Sequence, residues 1–165
     1  MKKHLYFLCP TDYLEPVINK TFDQENYYYN SLGNSITFDS EMVGQINRLV
    51  QTNDIKEITF ALSDNNHIIR DAISNRDFID IRGLEEFYSH ILNQKLNSEI
   101  LWQTDQDYFL VFSYHLNKKI SELQLALNVL HNTPVKISGK IYSKDKNIFE
   151  DIYSDLVCVD KHCLN

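Results

Sequence analysis

Glycine and proline are scarce in this sequence, with 4 Gly and 3 Pro in 165 residues. That scarcity excludes collagen-like and linker-rich architectures and argues against a glycine-rich cradle for a nucleotide. Positive charge is also short: 16 Lys and Arg stand against 23 Asp and Glu, a net charge of -7. Nucleic-acid affinity rests largely on Lys and Arg neutralising phosphates, so no nucleic acid is expected as a partner. The same balance disfavours an anionic membrane surface. No stretch reaches the ~18 consecutive apolar residues that span a bilayer. Met1-Lys2-Lys3-His4 followed by Leu5 to Cys9 has the charged start of a signal peptide. Its apolar run stops at Pro10, short of an h-region of roughly 7–15 residues, so it reads as a first buried strand. The three cysteines, Cys9, Cys158 and Cys163, are odd in number and widely spaced. They fit a reducing, cytoplasmic setting better than a disulfide framework.

What is present is a globular composition, 43% hydrophobic and 12% aromatic, with no repeat and no hinge. We read residues 1–165 as one domain. Leu5 to Cys9 is a short apolar run of the kind buried on both faces. Tyr13 to Phe22 predicts a helix with Pro16 in its first turn, and Tyr27 to Ser31 a second strand closed by the turn Leu32-Gly33-Asn34. Asp39 or Ser40 caps a helix carrying Met42, Val43, Ile46, Leu49 and Val50 at helical spacing. Glu57 to Leu62 is the strongest strand. Ser63, Asp64, Asn65 and Asn66 are all good caps for a helix through Ile73. Leu84 to Leu92 predicts another helix, Asp107 to Tyr114 is apolar but ambiguous, and Leu116 to Leu130 is helical. Val135 to Tyr142 reads as a strand, and Ile148 to Cys158 as strand or helix. The alternation predicts an α/β fold with a mostly parallel β-sheet flanked by helices.

In that order the landmarks resemble those of the β-class carbonic anhydrases over nearly the whole chain. Phe7-Leu8-Cys9-Pro10-Thr11-Asp12-Tyr13 resembles the family's first strand and its Cys-x-Asp-x-Arg turn. Tyr29-Asn30-Ser31-Leu32-Gly33-Asn34-Ser35 is similar to its Arg-Asn-Ala-Gly-Asn segment. Ala61-Leu62-Ser63-Asp64-Asn65-Asn66 falls where the family has Gly-His-x-x-Cys-Gly. Val135 to Tyr142 resembles its closing edge strand. The resemblance implies a β-carbonic anhydrase-like domain with a shortened N-terminus, since the long helical arm of the family has no counterpart before the first strand.

The chemistry that the resemblance implies is mostly missing. In the family, zinc sits on two Cys and one His, and the open fourth position lowers the pKa of water from ~15.7 to about 7. Here Cys9 takes the first ligand position, Leu62 the His position and Asn65 the second Cys position. The Asp and Arg positions hold Thr11 and Tyr13, with Asp12 out of register. Leucine has no lone pair, and an amide oxygen is a poor zinc ligand. We therefore expect a vestigial cleft lined by Cys9, Thr11, Tyr13, Leu62 and Asn65, with no catalytic residue, no metal and no cofactor. The protein would then act as a homodimeric binding or interaction module for a protein or small-molecule partner. An apolar edge strand such as Ile137 to Ile141 is the kind that a second copy covers. The enzymatic alternative is a zinc-dependent carbonic anhydrase or related lyase with an altered ligand set, for which Cys9, Asp64 and His67 are the candidates. The plainer reading takes Cys9 as a small buried hydrophobe, Asp64 as a cap and His67 as a solvated residue. The tail from Cys158 through His162 to Cys163 offers two thiols and an imidazole, but no second cluster completes four ligands. Ser63 lacks the flanking glycines of a nucleophile elbow. Tyr27, Tyr28, Tyr29, Phe87, Tyr88 and Trp102 are expected to pack in the core or a dimer contact.

Overall fold

The computed structural model describes residues 1–97, 106–130 and 134–153. A run of apolar residues flanked by helical patterns calls for a strand covered on both faces. Lys3–Leu8 (β1) is such a strand, buried from His4 onward. Glu57–Ser63 (β3) is buried from Ile58 onward. They lie side by side in a five-stranded sheet with Glu25–Asn30 (β2), Lys136–Ser143 (β4) and Ile148–Asp151 (β5), in the order β2-β1-β3-β4-β5. β1 to β4 are parallel, with Phe7 opposite both Tyr29 and Phe60, and Phe60 opposite Gly139. β5 runs antiparallel to β4. The fold is α/β with helices on both faces, as the alternation predicts.

The helices are Glu15–Thr21 (α1), Ser40–Asn53 (α2), His67–Ile73 (α3), Glu85–Asn97 (α4) and Gln106–Leu130 (α5). Strand periodicity assigns the two faces. Leu5, Phe7, Ile58, Phe60 and Leu62 join the large core with apolar residues of α2, α3, α4 and α5, including Val43, Ile69, Tyr88 and Leu116. Tyr6, Leu8 and Ala61 face the other way, onto Leu14 and Ile18. Asp39 is the N-cap of α2 and accepts from Met42 N–H at 2.8 Å. Asp54, in the left-handed region at φ 54°, ends it. At Gly139, β4 and the chain beyond β5 come so close that a Cβ would lie 2.5 Å from Ile152 Cδ1.

Two expectations are corrected. Val135 to Tyr142 is not an edge: β4 lies between β3 and β5, and Ile152 N–H also donates to Gly139 O. The cap of α3 is Asn66, whose Oδ1 accepts from Ile69 N–H at 3.0 Å, and not Asp64. The ambiguous Asp107 to Tyr114 belongs to α5, which runs unbroken from Gln106. The stretch after Ile148, open between strand and helix, begins as a strand to Asp151. Trp102, Cys158, His162 and Cys163 lie outside the described residues.

Candidate functional site

The carboxyl ends of parallel strands are where open α/β sheets place ligands, and the sequence candidates lie at the ends of β1 and β3. Pro10 opens a 3-10 turn over Pro10–Asp12, and Tyr13 leaves it in the left-handed region at φ 53°. This turn points adjacent side chains in opposite directions. Asp12 goes inward, 6% exposed, and Tyr13 outward, 81% exposed. Cys9 is buried at the head of the turn. Its Sγ accepts from Gly33 N–H at 3.1 Å and lies 3.0 Å from Thr11 Oγ1. Leu62 is fully buried in β3. Asn65 Oδ1 accepts from Ser63 Oγ at 2.6 Å.

The group that joins the two strand ends is Asp12. One carboxylate oxygen accepts from Ser63 N–H at 2.8 Å and the other from Asn66 Nδ2 at 2.9 Å. Burial pushes this carboxyl up to about 6, with the two hydrogen bonds, Lys144 and His67 holding it down. Asn34, at φ 54°, supplies a second tie: its Nδ2 donates to Phe7 O at 3.2 Å and Ala61 O at 3.1 Å. His115 of α5 supplies a third. A carbonyl only accepts, so its Nε2 carries the proton and donates to Gly33 O at 2.8 Å. Sequence reading misses all three. The family motif leaves Asp12 out of register, and nothing in the local pattern marks Asn34 or His115 as buried.

Cys9, Thr11 and Gly33 are therefore brought together, and so are Asp12, Ser63 and Asn66. Tyr13 turns to solvent, and Leu62 packs into the large core. A cleft of about 410 Å³ opens between the segment after Gly33 and helices α4 and α5, and none of Cys9, Thr11, Tyr13, Leu62 or Asn65 lines it. Asp64 is half-buried, with its carbonyl accepting from Arg70, and His67 is exposed at the start of α3. Among the described residues, no three His, Cys, Asp or Glu side chains gather as a group that could hold a metal ion, Cys9, Asp64 and His67 included. A three-ligand zinc centre needs imidazole and thiolate donors within about 2.0–2.3 Å of one point. Leucine at 62 and an Asn65 oxygen already accepting from Ser63 do not fit that centre. Among the described residues no helix is long and apolar enough to cross a membrane.

No protein-family model matches the sequence, and no curated protein matches it either. Solved structures do match. The β-carbonic anhydrase CafA of the fungal pathogen Aspergillus fumigatus aligns with a TM-score of 0.73 and 13% identity, over 99% of this chain and 81% of that one. The Coccomyxa β-carbonic anhydrase, solved with acetazolamide, aligns with a TM-score of 0.70 and 12% identity, over 99% and 82%. One of two tetrameric β-carbonic anhydrases from the ascomycete Sordaria macrospora gives 0.71 and 11%, over 91% and 80%. At such identities the likeness is one of architecture, and in architecture the chain has the β-carbonic anhydrase fold.

Proposed function

We propose that this chain is a binding or interaction module on the β-carbonic anhydrase fold, without the zinc chemistry of that fold, and that it works as a homodimer. On this reading Cys9, Thr11, Tyr13, Leu62 and Asn65 are the remnant positions of the metal site. The observation that carries the reading is the donor set at the strand ends. Leu62 offers no lone pair, Asn65 Oδ1 accepts from Ser63, and Cys9 Sγ sits against Gly33 N–H and Thr11. Asp12 bridges the same two strand ends with hydrogen bonds. Without a metal to polarise water, the site has no source of hydroxide at neutral pH.

Self-association is supported by exposed apolar side chains on the outer face of α5. Leu125 and Val129, one turn apart, are 70% and 84% exposed. One of the matching folds is described as tetrameric. The odd cysteine count supports a reducing, cytoplasmic setting. Stopped-flow CO₂ hydration with untagged protein tests the reading. The expected rate is that of buffer alone, with or without added zinc. A zinc-dependent acceleration abolished by a chelator would overturn it and restore the enzymatic alternative.

A further inference from the structure

The cleft between α4 and α5 lies apart from the strand-end positions, and its lining is the same whether or not those positions bind a metal. Its volume of about 410 Å³ falls within the roughly 300–1,000 Å³ of small-molecule sites. α5 lines it with Lys118, Lys119 and Glu122, α4 with Glu86 and His90, and the segment before α2 with Phe38. Glu86 and His90 are four residues apart, so they share one face of α4, about 6 Å apart along its axis. Lys118 Nζ donates to His90 Nδ1 at 3.2 Å. Glu86 therefore stands about one helical turn along the cleft from the place where the Lys118 ammonium meets α4.

The two walls carry opposite unbalanced charges. On α5, Glu122 is shared by Lys119 at 3.1 Å and Lys118 at 3.9 Å, two ammonium groups to one carboxylate. Lys119 is nearly buried and also donates to Ile36 O at 2.9 Å. Lys118 is exposed, and an ammonium has three donors, so one is left beyond His90 and Glu122. On α4, Glu86 is exposed and takes part in none of the ion pairs among the described residues. Asp39 also borders the cleft, but the N-terminus of α2, which it caps, offsets its charge. A simple anion would bring its charge up to Glu86, and a simple cation would meet the surplus on α5. A ligand with both charges close together suits both walls. Phe38, half-buried, adds apolar surface beside them, its ring centroid 5.9 Å from Lys119 Nζ.

We propose that this cleft binds a free α-amino acid with an apolar side chain. The ligand carboxylate accepts from Lys118, the ligand ammonium donates to Glu86, and the side chain lies against Phe38. The two charged groups of an α-amino acid are joined through a single carbon, short enough to lie between anchors about one turn apart. Both anchors are exposed, so the ligand reaches them without displacing a core side chain.

The test titrates the ¹⁵N-labelled full chain at neutral pH with L-phenylalanine, with phenylpropionate, which lacks the ammonium, and with phenethylamine, which lacks the carboxylate. L-Phenylalanine is expected to give saturable shifts at Gly83, Glu86, His90 and Lys118. Each one-ended compound is expected to bind about tenfold more weakly, having lost one charge-assisted hydrogen bond. Glu86→Gln should weaken L-phenylalanine about tenfold and leave phenylpropionate no weaker, because the ammonium contact is the one removed. Lys118→Gln should weaken L-phenylalanine by a like factor and leave phenethylamine no weaker. Both substitutions are at exposed positions and keep the fold, which unchanged spectra away from the cleft verify. One-ended compounds that bind as tightly as L-phenylalanine, a variant that weakens all three compounds alike, or no saturable response at tens of millimolar L-phenylalanine would each overturn the proposal.

Discussion

Replacing Asp12 by asparagine removes a titrating group and keeps the shape of the side chain. Asp12 accepts two hydrogen bonds, from Ser63 N–H and Asn66 Nδ2. Asn66 cannot turn its amide over, because its Oδ1 is held by Ile69 N–H. The amide introduced by Asp12→Asn therefore sets an NH₂ group against one of two buried donors, at a cost of about 1–3 kcal/mol. The pH dependence is more telling. The Asp12 carboxyl goes from 3.8 in the unfolded chain to about 6 in the fold, chiefly through burial. Between those values the folded state holds a proton that the unfolded state has released, so the contribution of Asp12 is complete below its unfolded value and falls as pH rises through 6. A shift of this size is worth about 3 kcal/mol. His115 and His4, pushed down by burial to about 3 and about 4, act in the opposite sense: stability is lost as pH falls below 6.5. Their effect is common to both proteins and cancels in the difference. Urea unfolding across the acid range up to neutrality should show Asp12→Asn most destabilising at the acid end, the gap narrowing by about 3 kcal/mol towards neutral pH. A gap that is flat with pH would refute the burial argument, and a gap that widens would mean that the ionised carboxylate stabilises the fold.

Gly33→Ala places a Cβ on a residue at φ +61° and 3.0 Å from Ile68 Cγ2. It should cost about 1–2 kcal/mol or more, read as a lower thermal midpoint. Asn34→Ala removes the donor shared by Phe7 O and Ala61 O and should cost about 1–3 kcal/mol in urea unfolding. Leu125→Asp with Val129→Asp alters only exposed positions of α5, so stability should change by no more than about 0.5 kcal/mol per site. Light scattering after size exclusion should nonetheless show the dimer dissociating; an unchanged dimer would remove this face from the interface.

Much of the fold is legible in the sequence because its elements carry their own local signals. Glu57 to Leu62 is an unbroken β-rich run, and Val43, Ile46 and Val50 mark one face of α2, with Asp39 as its cap. The start of α5 is not legible, for a physical reason. Val111, Phe112, Ser113, His115 and Leu116 are all buried, so the helix is covered on several sides and periodicity gives no direction there. The resemblance to a closing edge strand puts β4 at the sheet edge, whereas the apolar segment from Ile148, open between strand and helix in the sequence, pairs with it as β5. At the strand ends, residue types can be read but orientations cannot. A 3-10 turn sends Asp12 inward and Tyr13 outward, a choice that depends on donors from β3 and from the cap of α3, far along the chain. His115 meets Gly33 only through the packing of α5.

Metal content tests most directly whether the strand-end donor set holds zinc. Untagged protein, expressed in zinc-supplemented medium and assayed by inductively coupled plasma mass spectrometry, should carry far less than one zinc per chain. Stoichiometric zinc that resists dialysis and is lost on replacing Cys9 with serine would contradict the account.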